Sequence, residues 1–418
     1  MSKTQSFILN DILFYKGTTE LIDENANSVT LESLPPIGKL HPYVASMTQR
    51  ISEPIIRKYT VKDNWVLDPF SGAGNVLKTS ALLGRNSMGG DVNPLASLIS
   101  EVSTTKYERD LLITGLDKIL GELKPSTPPI DFIERNRLQY WFTYSTLTGL
   151  FSLKKAIETY TNGPMESFFK LALSACIRKV SKADPKIPPP VYSKKMRGSG
   201  KRFLYSDVLD TFQETAKQNI EKAVKYASFL SGNPKVKVYN NDSLEHLNNL
   251  RRRFDLILTS PPYMAAQKYV RSTSLELMII FGLERRDLSL MDRKDIGSEN
   301  ITRSDRTAYE LNNFGITGLS ENQLILINRF LTRIKYFIKV SNKLLNPNGK
   351  LAIVIGDNTI NGKVIPISGI VQSMAETSFY TLIERYSDEI RNYTFFTKRN
   401  KNAGKINNER VLIFQHAK

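Results

Sequence analysis

The chain has 418 residues, with 58 Lys and Arg against 41 Asp and Glu, a formal net charge of +17. Hydrophobic residues make up 41% and aromatic residues 10%, enough to bury a sizeable core, which excludes a disordered chain; the length suits one large α/β domain with an insertion, or two domains. A single cysteine, Cys176, and three scattered histidines, His41, His246 and His416, exclude a disulfide framework and a thiolate zinc site, so no protein-held metal is expected.

The first residues, MSKTQSFILNDILFYKG, hold a short apolar stretch broken by Asn10 and Asp11, unlike the long apolar core of a signal peptide. No run approaches the ~20 apolar residues that span a bilayer. The expectation is a soluble, cytoplasmic protein without a membrane partner. The positive excess points to a polyanion, because cationic surfaces attract phosphates and release their counterions; plain solubility is the bland alternative.

In chain order, Asn64-Trp-Val-Leu-Asp-Pro-Phe70 reads as a short buried strand, Ser71-Gly-Ala-Gly74 as a tight turn, and residues 75–83 as a helix. The third glycine of a dinucleotide fingerprint is missing, since Asn75, Val76 and Leu77 follow Gly74, and so is the Gly-Lys-Ser/Thr end of a phosphate loop. Asn86-Ser-Met-Gly-Gly-Asp91 reads as a second strand ending in an acid, with Pro94 placed to open a helix. An acid closing the second strand beside a Gly-x-Gly turn fits a nucleoside ligand without a pyrophosphate. The Asp91 carboxylate can accept hydrogen bonds from both ribose hydroxyls, and glycine lets the ligand approach the backbone. An ordinary strand–helix turn is the alternative.

Residues 107–232 follow a helical pattern, with helices expected over residues 112–123, 140–160, 167–180 and 208–230. A crossover needs far fewer residues, so this interval is read as an insertion with a task of its own. Within it, residues 178–202 carry nine Lys and Arg against Asp184, with Pro185, Pro188 to Pro190 and Arg197-Gly-Ser-Gly200, and are expected to form a basic, partly mobile loop rather than helix. Further strands are expected over residues 235–239, 254–259, 350–355 and 410–414, giving a doubly wound, mostly parallel α/β sheet. The division expected is a discontinuous catalytic domain, 1–105 with 236–418, and a helical insertion, 106–235. Residues 264–322 read as a second irregular interval, carrying Lys268, Arg271 and further arginines.

The most specific signal is Phe254-Asp-Leu-Ile-Leu-Thr-Ser-Pro-Pro-Tyr263. Its strand delivers a hydroxyl, two prolines and an aromatic ring to the sheet edge; proline lacks an N–H, so the turn presents carbonyl acceptors, and Tyr263 can stack on a planar ring. An exocyclic amine is a poor nucleophile because its lone pair is delocalised into the ring. If Ser260 Oγ and a proline carbonyl accept its two hydrogens, the lone pair can point at a sulfonium methyl for in-line displacement, with rate gained from orientation and matched dipoles. A Pro-rich turn ending a strand is the alternative. Attack at cytosine C5 would need a thiolate, and Cys176 lies in an apolar helix pattern instead.

Asp68-Pro-Phe-Ser-Gly-Ala-Gly74 and Ser260-Pro-Pro-Tyr263 resemble the cofactor and catalytic motifs of S-adenosylmethionine-dependent DNA amino-methyltransferases. The resemblance covers residues 36–105 and 236–418, taking in Leu275-Glu-Leu-Met-Ile-Ile-Phe-Gly282, Asp292-Arg-Lys-Asp-Ile-Gly297 and Asn408-Glu-Arg-Val-Leu-Ile413. It implies a Rossmann-like methyltransferase sheet with S-adenosylmethionine as cofactor. The cofactor residues implied are His41, Pro42 and Tyr43 beside the methionine moiety, and Asp68, Pro69, Phe70, Ser71, Gly72 and Gly74 in the first turn. Asp91, Val92 and Asn93 follow at the ribose, with Asp242 at the adenine, or Asn241 or Ser243 in its place. Ser260, Pro261, Pro262 and Tyr263 are implied to hold a base flipped out of duplex DNA. Serine in the first position of that motif is associated mainly with cytosine N4 enzymes, aspartate with adenine N6 enzymes. The implied function is site-specific cytosine N4 methylation in a bacterial restriction-modification system, with a cognate restriction endonuclease as a possible companion. Adenine N6 methylation, guanine N2 methylation of RNA, and a catalytically silent nucleic-acid-binding scaffold are the alternatives. DNA contacts are expected from Lys194, Lys195, Arg197, Lys201 and Arg202, or from the interval holding Lys268 and Arg271.

Overall fold

The computed structural model describes residues 7–9, 12–14, 20–21, 29–30, 34, 38–43, 47–230, 232–264, 268–299, 317–360, 362–389 and 408–416. Its central sheet has seven strands: β1 Trp65–Asp68, β2 Asn86–Asp91, β3 Val236–Asn240, β4 Phe254–Thr259, β5 Leu345–Gly356, β6 Tyr380–Glu389 and β7 Asn408–His416. They are ordered β6-β7-β5-β4-β1-β2-β3. Strands β1 to β5 pair in parallel, and β7 runs antiparallel between β5 and β6.

Helices α1 Gln49–Tyr59, α2 Asn75–Leu82 and α3 Pro94–Thr104 alternate with the first two strands. Between β2 and β3 come α4 Arg109–Gly121, α5 Ile130–Arg135, α6 Tyr144–Tyr160, α7 Gly163–Ile177, α8 Lys194–Gly198 and α9 Tyr205–Ser228. Helix α10 Ser243–Asn249 follows β3. Helices α11 Tyr269–Ser272, α12 Ser274–Phe281, α13 Arg285–Lys294 and α14 Glu321–Leu344 follow β4, and α15 Ile367–Glu376 precedes β6. None of the described helices is long and apolar enough to cross a membrane.

Period-two alternation along the strands sorts side chains to two faces. Val66, Leu256, Leu258, Ala352, Val354, Val411 and Ile413 pack with Ile51, Ile55 and Ile56 of α1 and with Val76 and Leu77 of α2. Their neighbours Leu67, Ile257, Leu351, Ile353, Leu412 and Phe414 meet Phe330, Ile334 and Phe337 of α14 and Ile370 of α15. A third cluster joins Leu95 and Ile99 of α3 to Leu112, Leu150, Phe169 and Phe212 of the long interval and to Leu275 and Ile279 of α12. The helices inserted between β2 and β3 therefore share a core with the elements that frame the sheet edge.

Three expectations need correction. Residues 194–198 of the basic segment form α8, because the Ser193 hydroxyl caps it by accepting Met196 N–H at 3.2 Å. The segment before it is held by Arg178, whose guanidinium donates to the carbonyls of Asp184, Ile187 and Pro188. The interval after β4 is not irregular, since α11, α12 and α13 occupy it up to Lys294. Leu275-Glu-Leu-Met-Ile-Ile-Phe281 is buried almost all round and so shows no amphipathic stripe; Gly282, at φ 67°, ends the helix. Strand β6 has no counterpart among the expected strands, because as the sheet's edge strand it mixes Thr, Glu, Arg and Ser with its apolar residues.

Candidate active site

Parallel sheets bind ligands beyond the carboxyl ends of their strands. There, a cleft of about 620 Å³, counted with its open mouth, lies off the ends of β1, β2, β3 and β4. Of the residues expected to bind cofactor or base, Tyr43, Phe70, Gly72, Asp91, Val92, Asn93, Asp242, Ser260 and Pro262 line it.

The β1 end supplies the turn. Gly72 and Gly74 take φ of 49° and 73°, a left-handed backbone that glycine adopts without a Cβ penalty. A Cβ on Gly74 would also lie 2.6 Å from Ser100 Oγ, and that hydroxyl donates to the Gly72 carbonyl at 2.9 Å. Phe70 is braced edge-on by Phe337, with ring centroids 5.4 Å apart. At the β2 end, Asp91 Oδ2 accepts Gly72 N–H at 3.2 Å and Oδ1 accepts Asn93 N–H at 2.9 Å, which fixes the carboxylate in place. Asn93 caps α3 by accepting Leu95 N–H and donates to Thr273 Oγ1 at 3.0 Å, tying β2 to the start of α12. Asp242 caps α10 by accepting Leu244 N–H at 3.0 Å.

The remaining expected residues stand elsewhere. Asp68 is buried beneath the turn, where Oδ1 accepts the Thr259 hydroxyl at 2.6 Å and Phe70 N–H at 3.2 Å. It braces β1 against β4 and does not line the cleft. Pro69, Ser71 and Gly74 are buried with it. His41 faces away: its Nε2 meets Ser174 Oγ of α7 at 3.1 Å, and burial lowers its pKa to about 4, so the ring is a neutral core group. Residues 38–43 lie against the inserted helices, since Asn219 Nδ2 donates to the Leu40 carbonyl. Pro42 is exposed. Pro261 is buried, and the Tyr263 hydroxyl donates to Glu409 Oε1 at 2.5 Å. The Ser243 side chain lies outside the described residues.

Tyr269, Val270, Lys294, Asp295 and Ile296 complete the cleft, and none of them is among the expected site residues. The signal for the last three lies in Asp292-Arg-Lys-Asp-Ile-Gly297. A Cβ on Gly297 would fall 2.7 Å from the Tyr263 carbonyl oxygen and 3.1 Å from Pro262 Cβ, so only glycine lets this segment close over the Ser260–Tyr263 turn. Asp295 Oδ1 accepts Gly297 N–H at 2.8 Å.

Burial raises three carboxyl groups here: Asp68 to about 7, Asp91 to about 6 and Asp295 to about 7. Asp91 adds to the shift of both others by like-charge repulsion. A site that crowds carboxylates in this way favours a cationic ligand, which relieves the repulsion. Burial, followed by the charges of Asp91, Tyr269 and Asp295, also pushes the Tyr43 phenol well above its ordinary value. Cys176 is buried in α7 with its thiol pushed up to about 11, again by burial. No group of three or more His, Cys, Asp and Glu among the described residues is placed to hold a metal ion.

Lys194, Lys195, Arg197, Lys201, Arg202, Lys268 and Arg271 are all exposed and none lines the cleft. Arg197 sits 5.4 Å over the Tyr192 ring and Lys201 4.7 Å over Phe203, while Lys268 pairs with Glu299 at 3.3 Å.

A mostly parallel sheet in this order, flanked by helices and opening at the β1 and β2 ends onto a cleft, is a doubly wound, Rossmann-like α/β fold. Residues 15–101 match a family model described as DNA methylase. The Type II methyltransferase M.MvaI of Kocuria varians is 22% identical over 408 residues, 90% of this chain and 86% of that protein. The Type II methyltransferase M.MjaII of Methanocaldococcus jannaschii is 32% identical over 88 residues, 21% of this chain and 16% of that one. Among solved structures, the rRNA methyltransferase aviRa of Streptomyces viridochromogenes is 11% identical with a TM-score of 0.30, covering 91% of this chain and 90% of that one. The chain is thus similar to DNA methyltransferases, locally over residues 15–101 and along most of its length to M.MvaI.

Proposed function

We propose that the protein methylates the N4 amine of a cytosine flipped out of duplex DNA within a short recognition sequence, using S-adenosylmethionine, as the modification arm of a restriction-modification system. The carrying observation is that Ser260 and Pro262, at the end of β4, line the same cleft as Asp91 and Gly72. The donor set fits the cofactor. Asp91 offers acceptors to a ribose diol, Gly72 leaves room for close approach, and the raised carboxyl groups suit a ligand bearing a sulfonium and an ammonium. Phe70 and Tyr43 supply apolar walls, and Asp242 stands at the adenine side.

Bound there, S-adenosylmethionine supplies an electrophilic methyl group. The chain's own residues activate the amine: Ser260 Oγ and a proline carbonyl of the catalytic turn accept its two N–H bonds, freeing the nitrogen lone pair for attack along one line. Tyr263 does not itself line the cleft; its part in this reading is to stack on the flipped ring once the base enters. Residues 106–235 form the DNA-engaging region, with Lys194, Lys195, Arg197, Lys201 and Arg202 on phosphates.

The test is expression in a host without DNA methylation, followed by mass spectrometry of its nucleosides and modification-sensitive sequencing. N4-methylcytosine at one short motif is the expected product. N6-methyladenine would move the assignment to the other amine, and unmodified DNA would overturn the proposal.

A further inference from the structure

Three acids line the cleft: Asp91, Asp242 and Asp295. On the reading above, the first two face neutral groups, a ribose diol and an adenine. Asp295 has no such counterpart, yet its carboxylate is built into place. Oδ1 accepts Gly297 N–H at 2.8 Å, and the backbone around it is gripped from α14. There the Arg329 guanidinium donates to the carbonyls of Arg293, Asp295 and Ser298, and Arg333 donates to the Lys294 carbonyl at 2.8 Å. Helix α14 is seated in the core through Phe330, Ile334 and Phe337, so this wall of the cleft is held firmly.

The Asp295 side chain is only 6% exposed, and among the described residues none forms an ion pair with it. Lys294 beside it is exposed. The charges around the carboxylate do not favour it, since Asp91 and Asp292 oppose its ionisation more than Arg329 supports it. A buried carboxylate in this position is costly, and a ligand that brings a cation offsets the cost.

Place decides which cation. Gly297 packs against Pro262 and Tyr263, so Asp295, two residues earlier, borders the end of the cleft where Ser260 and Pro262 receive the base. For in-line transfer the sulfonium has to come within bonding reach of the amine held there. The ammonium of S-adenosylmethionine is under no such constraint.

We propose that Asp295 is the binding residue for the sulfonium, and that it lets the cleft discriminate the charged cofactor from the neutral product. This rests on the amine-methylation function proposed above. Methyl transfer breaks the S–CH₃ bond with its electron pair left on sulfur and forms an N–CH₃ bond on the amine, which gives up a proton. Asp295 therefore faces a cation before the step and a neutral thioether after it, which favours exchange of product for fresh cofactor.

The test is titration calorimetry of wild type and Asp295→Asn with S-adenosylmethionine and with S-adenosylhomocysteine, with a thermal melt of each protein. Working at pH 8 keeps the carboxyl, raised by burial to about 7, ionised. Both ligands carry the same adenine, ribose and ammonium, so the sulfonium alone distinguishes them. Asparagine keeps an oxygen for Gly297 N–H and removes the charge. The variant is expected to bind S-adenosylmethionine about tenfold more weakly or worse, and S-adenosylhomocysteine within about twofold of wild type. Equal weakening toward both ligands, or no change toward either, would overturn the proposal. If Asp295→Asn fails to fold, Asp295→Ser, whose hydroxyl can also accept Gly297 N–H, is judged by the same ratio and the same outcomes. A wild-type chain that binds the cofactor but methylates no DNA overturns the proposed function, while the ratio still decides on Asp295.

Discussion

Replacing Asp91 by asparagine separates the charge of this side chain from its shape. Both carboxylate oxygens are engaged by backbone donors, Gly72 N–H at 3.2 Å and Asn93 N–H at 2.9 Å. An asparagine amide keeps one oxygen, so whichever way it turns, one of these N–H groups meets an NH₂ in place of an acceptor. Leaving a buried donor without a partner costs about 1–3 kcal/mol. Removing a carboxylate whose pKa burial has raised to about 6 returns part of that cost, so the fold should lose no more than ~1 kcal/mol. Toward a ribose diol the loss is larger. Hydrogen bonds to a charged acceptor are worth about 1.5–3 kcal/mol against 0.5–1.5 for neutral ones, a difference that weakens binding roughly five- to thirtyfold.

Titration calorimetry with S-adenosylhomocysteine at pH 7.5, paired with thermal melts, measures both quantities. Wild-type affinity should weaken as pH falls through about 6, where Asp91 takes up a proton, and Asp91→Asn should lose that component. A variant that binds within twofold of wild type, or keeps the wild-type pH profile, would remove Asp91 from the ligand.

Gly74→Ala should destabilise the fold by at least 1–2 kcal/mol in rough terms, because alanine strains at φ 73° and its Cβ would sit 2.9 Å from Ser100 Cα; an unchanged melting temperature would refute the close packing of α2 on α3. Neutralising Lys194, Lys195, Arg197, Lys201 and Arg202 together should flatten the dependence of log DNA affinity on log salt by up to about 4 to 5, at roughly 0.9 for each phosphate no longer neutralised. A wild-type slope would take α8 and its flanks out of the interface. Stability should rise as pH is lowered from 8 to 6.5. Asp68, Asp295 and Glu276 are each raised by burial to about 7, so up to that pH the folded state holds protons the unfolded chain has released, and stability is lost as pH climbs through the folded values. Below about 6.5 the effect of His41, buried neutral with its pKa lowered to about 4, runs the other way. Melts at constant ionic strength that fall between pH 8 and 6.5 would contradict this sign.

The parts of the site that are legible in the sequence are those where one backbone turn carries the chemistry. Asp91 closes a strand, Gly72 must leave the right-handed backbone, and Ser260-Pro-Pro ends a run of apolar strand residues; each constraint is local, so the residue types betray it. What escapes depends on packing between distant segments. His41 is expected beside a cofactor, yet it turns inward because residues 38–43 dock on α7 and α9, whose positions no local pattern fixes. The Asp295 wall is hidden because Asp295 merely ends the charged helix α13, and it reaches the cleft through the close approach of Gly297 to the Pro262–Tyr263 backbone. Glu409 is the extreme case: in sequence it is one acid near the start of a strand, and only the antiparallel return of β7 brings it to Tyr263.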